Sequence, residues 1–132
     1  MPTTLQPSFP VYSYPLYGRT LTTAAGTNQA TATAVTAAFT DINAGTTAGT
    51  GGVILPAQSS ASLTPVPYTV ANFTGFGAYV WPPLGAAFVG YGTNVPYALA
   101  PWSSNVFVLA QNNLLQWNVS EPYSIPTGTV PV

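Results

Sequence analysis

The sequence predicts an all-β fold, an antiparallel β-sandwich or jelly-roll-like barrel with extended N- and C-terminal arms. Short β-favouring runs recur about every 8 to 12 residues between turn signals, which is typical of sandwiches and barrels. β-Branched and aromatic residues dominate these runs, and no segment has the apolar period of a helix of normal length. Prolines cluster at both ends of the chain, where they favour extended backbone.

These patterns divide the chain into three parts. We predict an arm at 1–19, a β domain at 20–119 and a second arm at 120–132. The arm aromatics and the cation at the first boundary are candidates for contact with a neighbouring subunit. These candidate interface residues are Phe9, Tyr12, Tyr14, Tyr17, Arg19 and Tyr123.

Within the domain, each strand is predicted from its apolar or β-branched run and the turn residues that end it. In GTNQATATAV, which begins at Gly26, the β-branched Thr31, Thr33 and Val35 favour a strand despite the alanines. TGFG, between two alternating runs, predicts a hairpin. The Gly-rich stretch 44–52 is predicted as a turn region and 57–65 as a surface loop. The predicted strands are 20–24, 30–39, 53–55, 68–73, 78–81, 86–91, 97–100, 105–110 and 114–119.

The charge content is the most unusual property of the sequence. Charged residues make up 2% of the chain, and they are Arg19, Asp41 and Glu121. The chain should still fold, because 47% of it is hydrophobic and 13% aromatic. A soluble monomer normally depends on surface charge to stay dispersed, so a nearly neutral surface favours a subunit whose neighbours cover it.

The same composition excludes several classes of function. With no histidine or cysteine and with a single cation, the chain lacks the groups for acid–base or nucleophilic catalysis and for a metal site. We therefore expect no enzyme activity and no cofactor. A net charge of −1 argues against nucleic acid and anionic lipid as partners. No apolar run approaches the ~20 residues of a membrane-spanning helix, and MPTTLQPSF lacks the features of a signal peptide.

Several residues have two interpretations. Arg19 is either an ordinary surface group or the partner of a carboxylate on a neighbouring subunit. The glycosylation sequons at Asn72 and Asn118 are interpreted as coincidental. The larger aromatic residues are core or interface material, or alternatively an exposed platform for carbohydrate. These aromatics are Trp81, Tyr91, Tyr97, Trp102 and Trp117.

Two long segments resemble a module of tailed-phage virion structural proteins. LTTAAGTNQATATAVTAAFTDINAGTTAGTGGVILPA, at 21–57, is similar to the module's opening, where a GT-Q-A-TA phrase precedes a GTG-V-LPA phrase. YTVANFTGFGAYVWPPLGAAFVGYGTNVPYALAPWSSNVFV, at 68–108, is similar to its second half. The resemblance covers about 20–117, and Trp117 fits the tryptophan of the module's terminal strand. Both arms lie outside it.

The resemblance implies a small, non-enzymatic and β-rich virion component. We therefore expect a capsid decoration or cement protein on the outer surface of the head. Its expected partners are copies of itself, as a trimer, and the major capsid protein. Two alternatives stay open: a glycan-binding module of a tail or fibre, and a subunit of a self-assembling surface filament that grows by strand addition.

Overall fold

The computed structural model describes residues 18–46, 48–57, 67–110, 113–120 and 123–125, and within them the chain forms eleven strands and no helix. The predicted strand-rich architecture is confirmed for these residues. None of them forms a helix long and apolar enough to cross a membrane. The strands are β1 (Arg19–Thr23), β2 (Thr33–Ala34), β3 (Phe39–Ala44), β4 (Gly52–Ile54), β5 (Tyr68–Asn72), β6 (Ala78–Trp81), β7 (Ala87–Phe88), β8 (Tyr97–Leu99), β9 (Ser103–Ala110), β10 (Asn113–Val119) and β11 (Tyr123–Ser124).

The strands form two sheets that share one hydrophobic core. The larger sheet has the order β1-β3-β5-β9-β10-β7, with β11 also paired to β9, and the smaller has the order β2-β4-β6-β8. Buried side chains of both sheets belong to a single cluster. The largest fully buried side chains of the larger sheet are Trp117, Phe88, Phe107 and Ile42, and those of the smaller sheet include Leu99, Val53 and Val80.

The first six strands alternate between the sheets. β1, β3 and β5 lie parallel in the larger sheet, and β2, β4 and β6 lie parallel in the smaller one. Parallel neighbours require a long crossover connection, and here each crossover contains a strand of the opposite sheet. The chain therefore follows a spiral path that passes from one sheet to the other and back. This path places Arg19 opposite Phe39 and Phe39 opposite Thr69.

The prediction of antiparallel pairing is wrong for the pairs formed among these six strands. A two-residue period assigns side chains to faces, but it does not specify the direction of the neighbouring strand. Antiparallel pairing is confirmed elsewhere: β9 pairs in this way with β5, β10 and β11, and β6 with β8. β7 lies parallel to β10 at the edge of the larger sheet.

The segment TGFG does not close the predicted hairpin. Both strands form where they were expected, but β5 belongs to the larger sheet and β6 to the smaller. The side chain of Asn72 holds this connection: its Nδ2 donates to the carbonyl oxygens of Phe76 at 2.7 Å and Ala100 at 3.2 Å, and its Oδ1 accepts from the N–H of Thr74 at 3.1 Å and its hydroxyl at 2.7 Å. These bonds turn the chain out of its sheet.

The segment GTNQATATAV forms a turn and only a short strand, so the prediction of a continuous strand over 30–39 is wrong. Strand structure is confined to β2 and to the first residue of β3. The N–H of Thr31 donates to the carbonyl oxygen of Asn28 at 3.2 Å and to its Oδ1 at 3.1 Å. Asn and Thr side chains that bond to nearby backbone favour turns over strands. Gly26, with φ of +72°, begins the turn.

Candidate interaction surface

The structure describes two of the six candidate interface residues. Phe9, Tyr12, Tyr14 and Tyr17 lie outside the described residues. Arg19 belongs to β1 rather than to the arm, since it lies opposite Phe39 in the sheet. Tyr123 is in β11, where its backbone lies opposite Ser104 of β9. The backbone at Tyr123–Ser124 therefore continues the sheet of the domain.

Arg19 forms an ion pair with Asp41 of its own chain. Its Nε donates to Oδ2 of Asp41, and its Nη2 donates to Oδ1 at 3.3 Å. The Asp41 side chain is 3% exposed, whereas that of Arg19 is 57% exposed. The hydrogen bond to Asp41, and then the negative charge of this carboxylate, raise the pKa of Arg19 above its ordinary value. The pair links β1 to β3. It gives the guanidinium of Arg19 a carboxylate partner within its own chain, so no carboxylate from a neighbouring subunit is required.

Large apolar side chains are exposed in several places. A group of exposed apolar residues on one segment is a candidate interaction site. Four of them lie within the segment 82–96, which contains β7 at the edge of the larger sheet. We call these four residues the β7 patch: Leu84 (80% exposed), Val89 (54%), Tyr91 (43%) and Val95 (40%). The other exposed large apolar residues are Leu21, Phe39, Phe76 and Leu115.

Hydrogen bonds fix the backbone that carries the β7 patch. Asn94, with φ of +61°, donates its N–H to the carbonyl oxygen of Ala86 at 2.8 Å and accepts from the N–H of Gly85 at 2.7 Å through Oδ1. Gln29 Nε2 donates to the same Oδ1 at 3.1 Å and to the carbonyl oxygen of Pro82 at 2.7 Å. Gln29 belongs to the turn in GTNQATATAV, so this turn supports the patch.

The strand β7 is held by its neighbour β10 and by the turn that follows it. The N–H of Val89 donates to the carbonyl oxygen of Trp117 in β10 at 2.8 Å, and the N–H of Tyr91 donates to that of Phe88 at 2.9 Å. The latter bond closes a turn, so the strand predicted at 86–91 is limited to Ala87–Phe88. Phe88 is fully buried and packs edge-on against Tyr91, with ring centroids 6.2 Å apart. The patch is therefore presented on a fixed scaffold.

The segment that carries the β7 patch is uncharged. The segment 82–96 contains no charged residue. Among the described residues, no group of three or more histidine, cysteine, aspartate or glutamate side chains could hold a metal ion. This part of the molecule can bind a partner by burying apolar surface, with little contribution from charge.

The five larger aromatic residues do not form one exposed platform. Trp117 is fully buried and contacts Tyr68, with ring centroids 6.1 Å apart. Trp81 is half-buried, and its Nε1 is buried without a hydrogen-bond partner. Tyr91 is the exposed member, so a carbohydrate platform made of all five is wrong.

A small pocket lies at the β2–β3 connection. Its volume is about 120 Å³, and it is lined by Val35, Thr36, Ala37, Ala38, Pro56 and Tyr68. Pockets for small organic ligands usually measure about 300 Å³ or more. The β7 patch is therefore the better candidate for a functional surface.

The sequon at Asn72 is not an acceptor in the folded protein. Asn72 is fully buried, and its Nδ2 is engaged in the connection between β5 and β6. Asn118, in contrast, is exposed on β10. The interpretation of the first sequon as coincidental therefore agrees with its position.

Comparisons with models of protein families, with curated proteins and with solved structures found no match.

The sequence does not predict the β7 patch, because its pattern assigns 86–91 to a strand and the residues that follow to a loop. A signal was present nonetheless. Large apolar residues adjoin Gly and Pro in this segment, and such turn-forming residues place the chain at the surface.

Proposed function

We propose that the chain is a non-enzymatic structural subunit of a phage particle, a decoration or cement protein on the outer surface of the capsid. It has no cofactor, forms a trimer and bridges major capsid subunits. Its whole chain is an all-β sandwich with extended arms. The observation that carries this proposal is a fixed, exposed apolar patch on a chain whose charged residues make up 2% of the sequence. A surface of this kind promotes association, so a partner that covers it protects the protein from aggregation.

The cementing mechanism follows from burial. The arm aromatics Phe9, Tyr12, Tyr14 and Tyr17 pack into apolar grooves of adjacent subunits. Fully burying an aromatic or aliphatic side chain contributes about 1.5 to 3 kcal/mol. Contacts repeated around a shell act together, so individually modest gains give a firm hold.

A binding experiment tests the proposal. Heads of the source phage that lack this protein are mixed with the full chain and sedimented, and the bound copies are counted. We expect saturable binding that persists in high salt, because apolar burial is not screened by ions. Replacement of the four arm aromatics by serine should lower the occupancy. Phe76→Ser, which changes an exposed apolar residue outside the arms, serves as the control. Absence of saturable binding, or unchanged occupancy by the arm variant, would refute the proposal.

A surface filament is the second candidate, and β1 favours it. Among the described strands, β1 has one neighbour, β3, so its other edge is open to strand addition. RTLTT also lacks proline, and its charged residue, Arg19, lies at the first position of the strand and is paired with Asp41. Electron microscopy of the purified chain distinguishes the two functions, since a filament subunit forms fibres in the absence of any capsid.

A further inference from the structure

The β7 patch is suited to an uncharged, aromatic and extended partner. Its backbone is fixed by Asn94 and Gln29, so a partner finds the surface preformed and loses little free energy in ordering it. Leu84 has the largest exposed fraction, and the residues next to Leu84 and Val95 are joined, because Gly85 donates its N–H to Oδ1 of Asn94. The segment carries no charge that could attract an ionic partner.

The chain itself contains a segment with the matching chemistry. Residues 1–17 lie outside the described residues, and Gly18 joins them to β1. They contain Phe9, Tyr12, Tyr14 and Tyr17 and no charged residue. Proline-rich extended segments bind to apolar and aromatic surfaces at a low entropic cost. We infer that the β7 patch receives the N-terminal segment 1–17 of a second copy of this chain.

The proposed trimer brings copies of the chain into contact, and the positions of the two elements allow the segment of one copy to dock on the patch of the next. β1 and β7 are the opposite edges of the larger sheet, five strand spacings apart in its order. At about 4.8 Å per spacing, the root of the segment lies about 24 Å from its own patch. When two copies lie edge to edge, β1 of one adjoins β7 of the next, so the root of the segment is beside the neighbour's patch. Fully extended, 17 residues reach about 50 Å, which spans this contact as well as the distance to the chain's own patch, so dimer formation by complementary variants is the result that identifies a second copy as the acceptor.

Such a contact is heterologous, because each copy donates a segment at one edge and accepts one at the other. Heterologous contacts close into rings when the rotation permits, and a ring is compatible with the proposed trimer. This inference rests on the proposed function and narrows it: of the adjacent subunits that receive the arm aromatics, a second copy of this chain receives the segment 1–17. It assigns that role to Leu84, Val89, Tyr91 and Val95.

Two full-length variants test the inference by complementation. The acceptor variant carries Leu84→Asn and Val95→Asn, and the donor variant carries Tyr12→Ser and Tyr14→Ser. Sedimentation velocity over a range of concentrations measures their self-association. We expect the wild type to associate and each variant to associate at least about tenfold more weakly, because apolar contact area is lost. An equimolar mixture should form dimers and nothing larger, since one variant supplies the segment and the other the patch.

Controls separate docking from misfolding. Phe76→Ser changes a residue that is 39% exposed and lies outside the patch, so it should associate as the wild type does. All variants should retain the circular dichroism spectrum and unfolding temperature of the wild type. If the wild type is monomeric throughout, if the variants associate normally, or if the mixture yields no dimer, the inference is wrong. These results are independent of capsid binding, so a failure of the proposed function is recognised separately by the occupancy measurement.

Discussion

The substitution Asn72→Ala removes the side chain that directs the chain from β5 to β6. Asn72 is fully buried and makes four hydrogen bonds. Each is worth a net stabilisation of about 1 kcal/mol. In the variant, the hydroxyl of Thr74 can donate to the carbonyl oxygen of Phe76 in place of Asn72, and the carbonyl oxygen of Ala100 still accepts from the hydroxyl of Ser103. The N–H of Thr74 loses the acceptor provided by Asn72. We therefore expect a loss of about 3 kcal/mol in the free energy of unfolding.

Urea unfolding monitored by tryptophan fluorescence measures this loss. With a typical denaturant slope, about 3 kcal/mol lowers the midpoint by roughly 1 to 2 M. Asn118→Ala is the matched control, because Asn118 is exposed on β10 and its removal should change stability by less than about 0.5 kcal/mol. If Asn72→Ala were as mild as this control, the hydrogen bonds of Asn72 would not be what holds the connection between the two sheets.

Two further substitutions test the part of the chain that runs from β1 to β3. Gly26→Ala should destabilise the protein by more than about 1 kcal/mol, because an alanine is strained at φ of +72° and its Cβ would collide with the carbonyl oxygen of Thr31. The control Gly75→Ala has open space around it, so it should be nearly neutral in the same urea unfolding measurement. Arg19→Gln should cost about 1 kcal/mol and more than Asp41→Asn, because it leaves the Asp41 carboxylate buried without its cation. Since the pKa of Arg19 is raised, its contribution is fully present at neutral pH and is lost only in strong alkali, so the cost of Arg19→Gln should be equal at pH 6 and pH 9. A larger loss for Asp41→Asn would contradict this view of the pair.

Strand positions could be predicted from the sequence wherever side-chain alternation is regular. β6 and β9 alternate between buried and partly buried residues, and the expected segments match these two strands and β5 within two residues. Their partners could not be predicted, because alternation describes faces and not neighbours. Two similar short sequences, TAAGT beginning at Thr23 and NAGTT beginning at Asn43, were a signal that the chain repeats the same path through the two sheets. The first begins at the last residue of β1 and the second begins one residue before the end of β3, and these two strands are parallel neighbours.

The candidate surface was less predictable than the fold. Phe88 and Val89 are adjacent apolar residues, yet Phe88 is fully buried and Val89 is 54% exposed. Which of them faces the core depends on the turn that follows β7 and on the bond from Val89 to Trp117. Gln29 supports the segment from a distant part of the sequence. Such long-range contacts leave no local pattern, so this surface could be recognised only in three dimensions.

The central claim is that neighbouring subunits cover this uncharged surface. Hydroxyl-radical footprinting tests it most directly, by comparing the oxidation of Leu84 and Tyr91 in intact particles with that in the dilute, isolated chain. Leu84 is 80% exposed and Tyr91 43% exposed in the single chain. We expect both to be oxidised readily in isolation and several-fold more slowly in the particle, while Phe76, which is exposed outside the patch, is oxidised equally in the two samples. Oxidation of Leu84 and Tyr91 at the same rate in both samples would contradict the claim.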